Sequence, residues 1–247
     1  MHCISSSFMR PVLLTCWGVP VRSFPVMQYL GLLAAVLAGA AAAPLRDIAP
    51  DSFILIATAV IAIGLLGSRL WYLVVNWTVY RSNPRRIWRR SDAGVVLYGG
   101  ILLALVASWP LLHALQVPFG AFWDIGAIAA MAGIAVGRIG CFLNGCCTGR
   151  ATGNLLGVIL PGQDGVWRRR FPTQLLELLL CLLLFSGAEF ALPRATRPGV
   201  VFVAVLAGLG WGRFVLEGLR EHISRASRTT SALLALGCSG GLAILLT

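Results

Sequence analysis

The chain has no lysine; all 20 of its basic residues are arginine. It is poor in charge altogether, at 12% against the roughly 25% of a soluble domain. That deficit, with a mean hydropathy of +0.84 and apolar runs near 20 residues, excludes an ordinary soluble fold and indicates a polytopic membrane protein. Histidine is scarce. His2, His113 and His222 are isolated, so the paired cysteine and histidine elements of a standard zinc site are missing. The seven cysteines are odd in number and scattered, which excludes a disulfide framework. No basic patch interleaved with aromatics and no zinc-finger spacing is present, so nucleic acid is not an expected partner. There is no internal repeat and no soluble domain.

What remains is apolar sequence studded with arginine, at a net charge of +11. Genomic base composition accounts for an arginine-only chain. So does phosphate recognition, because the planar guanidinium fork binds two oxygens at once. A basic membrane protein meets anionic lipid first.

The hydropathy pattern predicts spans over residues 26–43, 52–76, 94–115, 121–143, 173–192, 198–219 and 229–247. Each is near the ~20 residues that cross the hydrocarbon as a helix, which satisfies its own backbone polar groups. The expected fold is an all-α integral membrane protein with about seven transmembrane helices in one bundle, over residues 24–247. Residues 1–23 are expected to be a poorly ordered N-terminal extension. Leu13-Leu14-Thr15-Cys16 faintly resembles a lipoprotein cleavage site, but the apolar stretch before it is too short for a signal peptide.

The loops alternate between two faces. Face A carries the N-terminus and loops 77–93, 144–172 and 220–228, with 14 arginines; face B carries Arg46, Arg194 and Arg197. The positive-inside rule places face A in the cytoplasm.

The polar residues within or beside the spans gather toward face A. The longest such stretch runs Gly137-Arg138-Ile139-Gly140-Cys141-Phe142-Leu143-Asn144-Gly145-Cys146-Cys147-Thr148-Gly149-Arg150. A guanidinium at bilayer depth costs roughly 2.5–3.5 kcal/mol, so Arg138 requires an anionic partner or a wet cavity. No carboxylate lies within a helical turn of it, so the partner comes from another helix or from a ligand. Tyr98-Gly99-Gly100, Pro172-Thr173-Gln174 with Glu177, and Arg213, Glu217 and Arg220 lie at the same level. Arg213 and Glu217 are four apart and can pair along one helix face. An interhelical salt-bridge network and an anion site are both open readings of this set. Gly99 and Gly100 suit either ligand approach or close helix packing. Asp124, at face B, reads as an interhelical polar contact. Cys141, Cys146 and Cys147 read as structural thiols, a reactive or disulfide-forming group, or, least of all, metal ligands; Cys181 and Cys238 read as core filler. No metal and no cofactor is expected.

The run Gly137-Arg138-Ile139-Gly140-x-Phe142-Leu143-Asn144-Gly145-x-x-x-Gly149 resembles the signature of the prolipoprotein diacylglyceryl transferase family. The resemblance extends to Phe24–Gly31, Gly67–Tyr72, Tyr98-Gly99-Gly100, Pro172–Glu177 and Gly212–Glu221, in register over about residues 24–222. It implies transfer of a diacylglyceryl group from phosphatidylglycerol to the lipobox cysteine thiol of a prelipoprotein, at a multi-pass bacterial plasma membrane. It implies an extracytoplasmic active face, against the arginine count. By it, Arg138 and Arg213 grip phosphate with Tyr98 as a third catalytic position. Asn144, Gly149, Glu177, Glu217, Arg220, Gly99 and Gly100 bind substrate.

The chain departs from the family pattern at Tyr98, which stands for a histidine. It departs also at Cys141 for an asparagine, Cys146 for a glutamate, Pro25 for a tyrosine and Phe171 for a histidine. The general base is therefore open among Tyr98, a water and the substrate thiol itself. A related lipid transferase with another acceptor, working through Cys141, Cys146 or Cys147, is an alternative. So is a non-catalytic phospholipid-binding protein.

Overall fold

One close helix crossing is made by residues with almost no side chain. In the computed structural model, which describes residues 10–16, 19–82, 97–162, 165–221 and 225–246, helix α1 (Ser23–Ala42) lies along α5 (Phe119–Asn144). A methyl group at Gly31 would sit 2.6 Å from the Gly133 carbonyl oxygen, and one at Gly133 would sit 2.9 Å from that of Gly31. Glycine at both positions lets the two backbones touch, as small residues do in membrane bundles.

Among the described residues the remaining α-helices are α2 (Pro50–Val75), the short α3 (Trp77–Ser82), α4 (Leu97–Ala114), α6 (Thr173–Ala191), α7 (Val200–Glu217) and α8 (Arg225–Leu246). Six of the eight are long and apolar enough to cross a membrane. The exception among the expected spans is the one at 94–115. Its apolar stretch is the shorter 99–114, and residues 83–96 lie outside the described residues. The chain is an all-α multi-pass membrane protein, as the hydropathy pattern predicts.

α5 is the central helix. Ile125, Ile128 and Met131 are buried on it, and it packs against α1, α6 and α7. Large apolar residues such as Leu37, Leu55, Leu65, Leu183 and Val215 stay exposed on the outer faces, as lipid-facing positions require.

Face B is tied by one charged knot. Asp124, fully buried, takes Arg46 Nη2 at 2.8 Å and the Gly199 amide at 2.9 Å on Oδ2, and the Phe202 amide at 2.9 Å on Oδ1. Arg46 also donates to the Ala195 carbonyl at 2.8 Å. The expected interhelical contact at Asp124 is thus a junction of the α1–α2 turn, α5 and the start of α7.

Two hairpins were not legible as elements. Val12–Cys16 (β1) pairs antiparallel with Val19–Arg22 (β2), within the segment expected as an extension. Val158–Pro161 (β3) pairs antiparallel with Trp167–Arg170 (β4), in the face-A loop between α5 and α6.

Candidate functional site

The geometry at face A grows from the end of α5. The helix stops at Gly145, whose φ of +70° is the left-handed conformation that terminates helices, and its amide returns to the Phe142 carbonyl at 3.1 Å. The chain then runs through Cys146 and Cys147 and is clasped from two sides. Thr173 Oγ1 donates to the Cys147 carbonyl at 2.6 Å and Gln174 Nε2 to the Cys146 carbonyl at 2.7 Å, so the first turn of α6 holds this loop. Further on, the Gly149 amide donates to the Phe171 carbonyl at 2.9 Å and the Arg150 amide to the Leu219 carbonyl at 2.8 Å. The loop is thereby stitched to β4 on one side and to the turn after α7 on the other.

That stitching brings Arg220 back over α6. Its Nη2 donates to Glu177 Oε1 at 2.6 Å, and its Nε lies 3.5 Å from Glu217 Oε2. Arg138, from α5, lies with Nε 2.7 Å from Glu177 Oε2. The partner that Arg138 requires is therefore a carboxylate on another helix. Glu177 and Glu217 are buried, at 4% and 3% exposure. Burial lowers the pKa of Arg220, and the Glu177 and Glu217 carboxylates more than offset this, so its charge is secured.

Arg213 differs from its neighbours. The four-residue pair expected with Glu217 does not form, because Glu217 faces Arg220 instead. Arg213 makes no ion pair or hydrogen bond with another described residue. It still belongs to the same neighbourhood, since Cys181 on α6 lies within electrostatic reach of Arg138, Glu177 and Arg213 together. Three guanidiniums thus face two carboxylates, and the cluster carries one uncompensated positive charge. Arg213 is half-buried, and an excess charge withdrawn from water is costly unless an anion completes it.

The other expected site residues divide. Asn144 is exposed at the end of α5, two residues before Cys146. Gly149 is a clasp, because a methyl there would sit 2.6 Å from the Phe171 carbonyl oxygen and 2.7 Å from that of Leu219. Gly99 and Gly100 face α2: a methyl at Gly99 would meet the Gly67 carbonyl oxygen at 2.9 Å, and one at Gly100 would meet that of Gly64 at 2.7 Å. Close packing against α2 is the contact that both glycines make. The side chain of Tyr98 lies outside the described residues.

The three cysteines converge. The sulfur atoms of Cys141, Cys146 and Cys147 all lie within 4.8 Å of one another. Cys141 and Cys147, the strongest influences, hydrogen-bond the Cys146 sulfur, and Asn144 adds a further bond; together they hold its thiol below the usual range despite its partial burial.

Residues without an expected role complete the support. Arg170, 2% exposed, pairs with Glu221 at 2.8 Å and locks β4 to the turn after α7. Thr173 and Gln174 were visible only as parts of a motif. Their hold on the cysteine loop could have been suspected from polar residues opening a leucine helix.

Comparison with known proteins gives this arrangement its setting. The family model described as prolipoprotein diacylglyceryl transferase matches residues 11–246, so the β1–β2 hairpin falls inside the matched stretch. The chain is 34% identical over 218 residues to the phosphatidylglycerol–prolipoprotein diacylglyceryl transferase of Geobacter sulfurreducens, covering 85% of this chain and 82% of that one. It is 27% identical over 249 residues to the protein of the same name from Lactiplantibacillus plantarum, covering 94% and 88%. The Clostridioides difficile protein of that name is 26% identical over 242 residues, covering 95% and 93%. With its bundle, its arginine-bearing helix ends and a match along nearly its whole length, the chain belongs to the prolipoprotein diacylglyceryl transferase family.

Proposed function

We propose that this protein transfers the diacylglyceryl group of phosphatidylglycerol to the lipobox cysteine of a prelipoprotein. Family membership supports the reaction class. The observation that carries the site assignment is the surplus guanidinium. Arg213 has no described protein partner, beside an Arg138–Glu177–Arg220–Glu217 chain that is otherwise neutral. A phosphodiester bears one negative charge, which matches the one positive charge left over.

The chemistry follows from that charge. The acceptor thiol loses its proton to a base, and the thiolate attacks the glyceryl carbon next to the phosphate ester oxygen. A carbon–sulfur bond forms, the carbon–oxygen bond breaks, and glycerol phosphate leaves with the electron pair. Negative charge grows on the phosphate as the bond breaks, so Arg213 and the Nη groups of Arg138 bind the transition state more tightly than the substrate. Glu177 and Arg220 set the orientation of Arg138. The proton passes to Tyr98 or to a water, and the field of the arginines favours the thiolate.

We place the reaction at the extracytoplasmic side of the plasma membrane, with face A outside. The arginine excess of that face overstates its loop charge, because Arg170 and Arg220 are neutralised by Glu221 and by Glu177 with Glu217. An in vitro assay with phosphatidylglycerol vesicles and a lipobox peptide tests the activity. Thioether-linked product supports it. Bound phosphatidylglycerol with no product, from protein that is folded and monodisperse, refutes it.

A further inference from the structure

The transferase reading makes no use of the cysteine cluster, which is built more carefully than packing requires. Its three sulfurs come from two different kinds of backbone. Cys141 projects from the last turns of α5, while Cys146 and Cys147 lie in the loop beyond. The loop carries two left-handed residues, Gly145 at φ +70° and Cys147 at φ +61°. Glycine adopts that conformation freely, whereas a cysteine there is strained. Such strain persists only where the surroundings hold it, and here the Thr173 and Gln174 side chains fix the carbonyls of Cys147 and Cys146. The strain is spent on bringing three sulfurs together.

We infer that Cys141, Cys146 and Cys147 form a three-thiolate site for a soft metal ion of the Cu(I) class. The spacing fits. With metal–sulfur bonds of about 2.3 Å, sulfurs around a trigonal ion stand about 4.0 Å apart, inside the observed limit. The donor set is all sulfur, and among the described residues no histidine or carboxylate joins it. Thiolate-only sets select soft ions. A closed zinc site uses four protein ligands, while Cu(I) is satisfied by three thiolates. Access also fits. Cys141 is buried, while Cys147 is exposed and open to an entering ion.

The test uses the full chain in detergent, reduced and kept anaerobic, with Cu(I) titrated against a bicinchoninate competitor. One equivalent of copper retained per chain, with three sulfur neighbours in X-ray absorption, is the expected result. Bound copper protects Cys146 and Cys147 from iodoacetamide and leaves the exposed Cys16 as reactive as before. That readout needs no variant. Cys147→Ser, at an exposed position, weakens copper retention by about tenfold or more, and Gln174→Ala weakens it through the loop it holds. Complete loss of copper to the competitor, unchanged retention in Cys147→Ser, or tighter binding of Zn(II) than of Cu(I) overturns the assignment. None of these readouts depends on transfer activity, so the metal site and the transferase reading fail separately.

Discussion

Glu177 holds Arg138 by one edge only. The contact runs from Nε to Oε2 at 2.7 Å, and that buried oxygen takes no aligned hydrogen bond. The other edge of the guanidinium has no described protein partner. An arginine anchored at Nε keeps its paired Nη groups for a second acceptor, which is the fork geometry that grips phosphate oxygens. The carboxylate thus positions a cation without consuming it.

Arg213→Ala is expected to lower transfer by roughly 100-fold or more, the size of losing a group that meets charge developing in the transition state. Arg213→Lys keeps the charge but not the fork and recovers part of the loss. Because Arg213 has no described protein partner, its removal should leave thermal unfolding in detergent nearly unchanged. Equal transfer rates in wild type and Arg213→Ala would remove the phosphate role from this residue.

Glu177→Gln separates positioning from binding. It leaves Arg138 and Arg220 without their shared counter-charge at a site where Glu177 is 4% exposed. Breaking a buried pair from one side costs about 3–5 kcal/mol. The variant is therefore expected to unfold earlier as well as to lose activity, and excess anionic lipid should recover part of its stability. A variant as stable as wild type would mean that solvent reaches the pair.

Asp124→Asn examines the other charged junction. It strips the counter-charge from Arg46 and weakens the ties to Gly199 and Phe202 at face B. Its expected cost in stability is similar, about 3–5 kcal/mol. Specific activity per folded molecule should stay near wild type, because the arginine cluster lies at the other end of α5. A variant that folds as well as wild type but fails to transfer would show that the two faces are coupled.

The bundle was legible because its signal is redundant: each span repeats the same apolar message over some 20 residues. Arg138, Glu177 and Arg220 were legible because polar groups in such runs stand out. Their pairing was less so. Helical spacing links Arg213 to Glu217, yet Glu217 faces Arg220, because the chain turns past Gly218 and is drawn back by the pairing of Gly149 with Arg220. No local rule contains that return. The β3–β4 hairpin was hidden for a related reason. Its turn residues Pro161, Gly162 and Gly165 are a fair signal, but the arginine run 168–170 reads as solvated loop until Arg170 is seen paired with Glu221. The sulfur cluster needed both Gly145 and a cysteine in the left-handed region, which sequence spacing does not express.

Gly149 offers the sharpest test of how the loop serves the cluster. Its side-chain position is filled by two carbonyl oxygens, from Phe171 and Leu219, at 2.6 and 2.7 Å. Both are backbone, so neither can swing aside. Gly149→Ala must therefore push the loop away from the turn that carries Arg220, loosening its bond to Glu177 and so the seat of Arg138. The strain of such overpacking is typically about 1–3 kcal/mol. The expected signature is a fall in kcat larger than the fall in stability, with binding of phosphatidylglycerol weakened less, because Arg213 on α7 is not moved. Gly99→Ala, packed against α2, should show the reverse balance, with stability lost and specific activity kept. If the two alanine variants behave alike in both measurements, the loop clasp has no special bearing on the site.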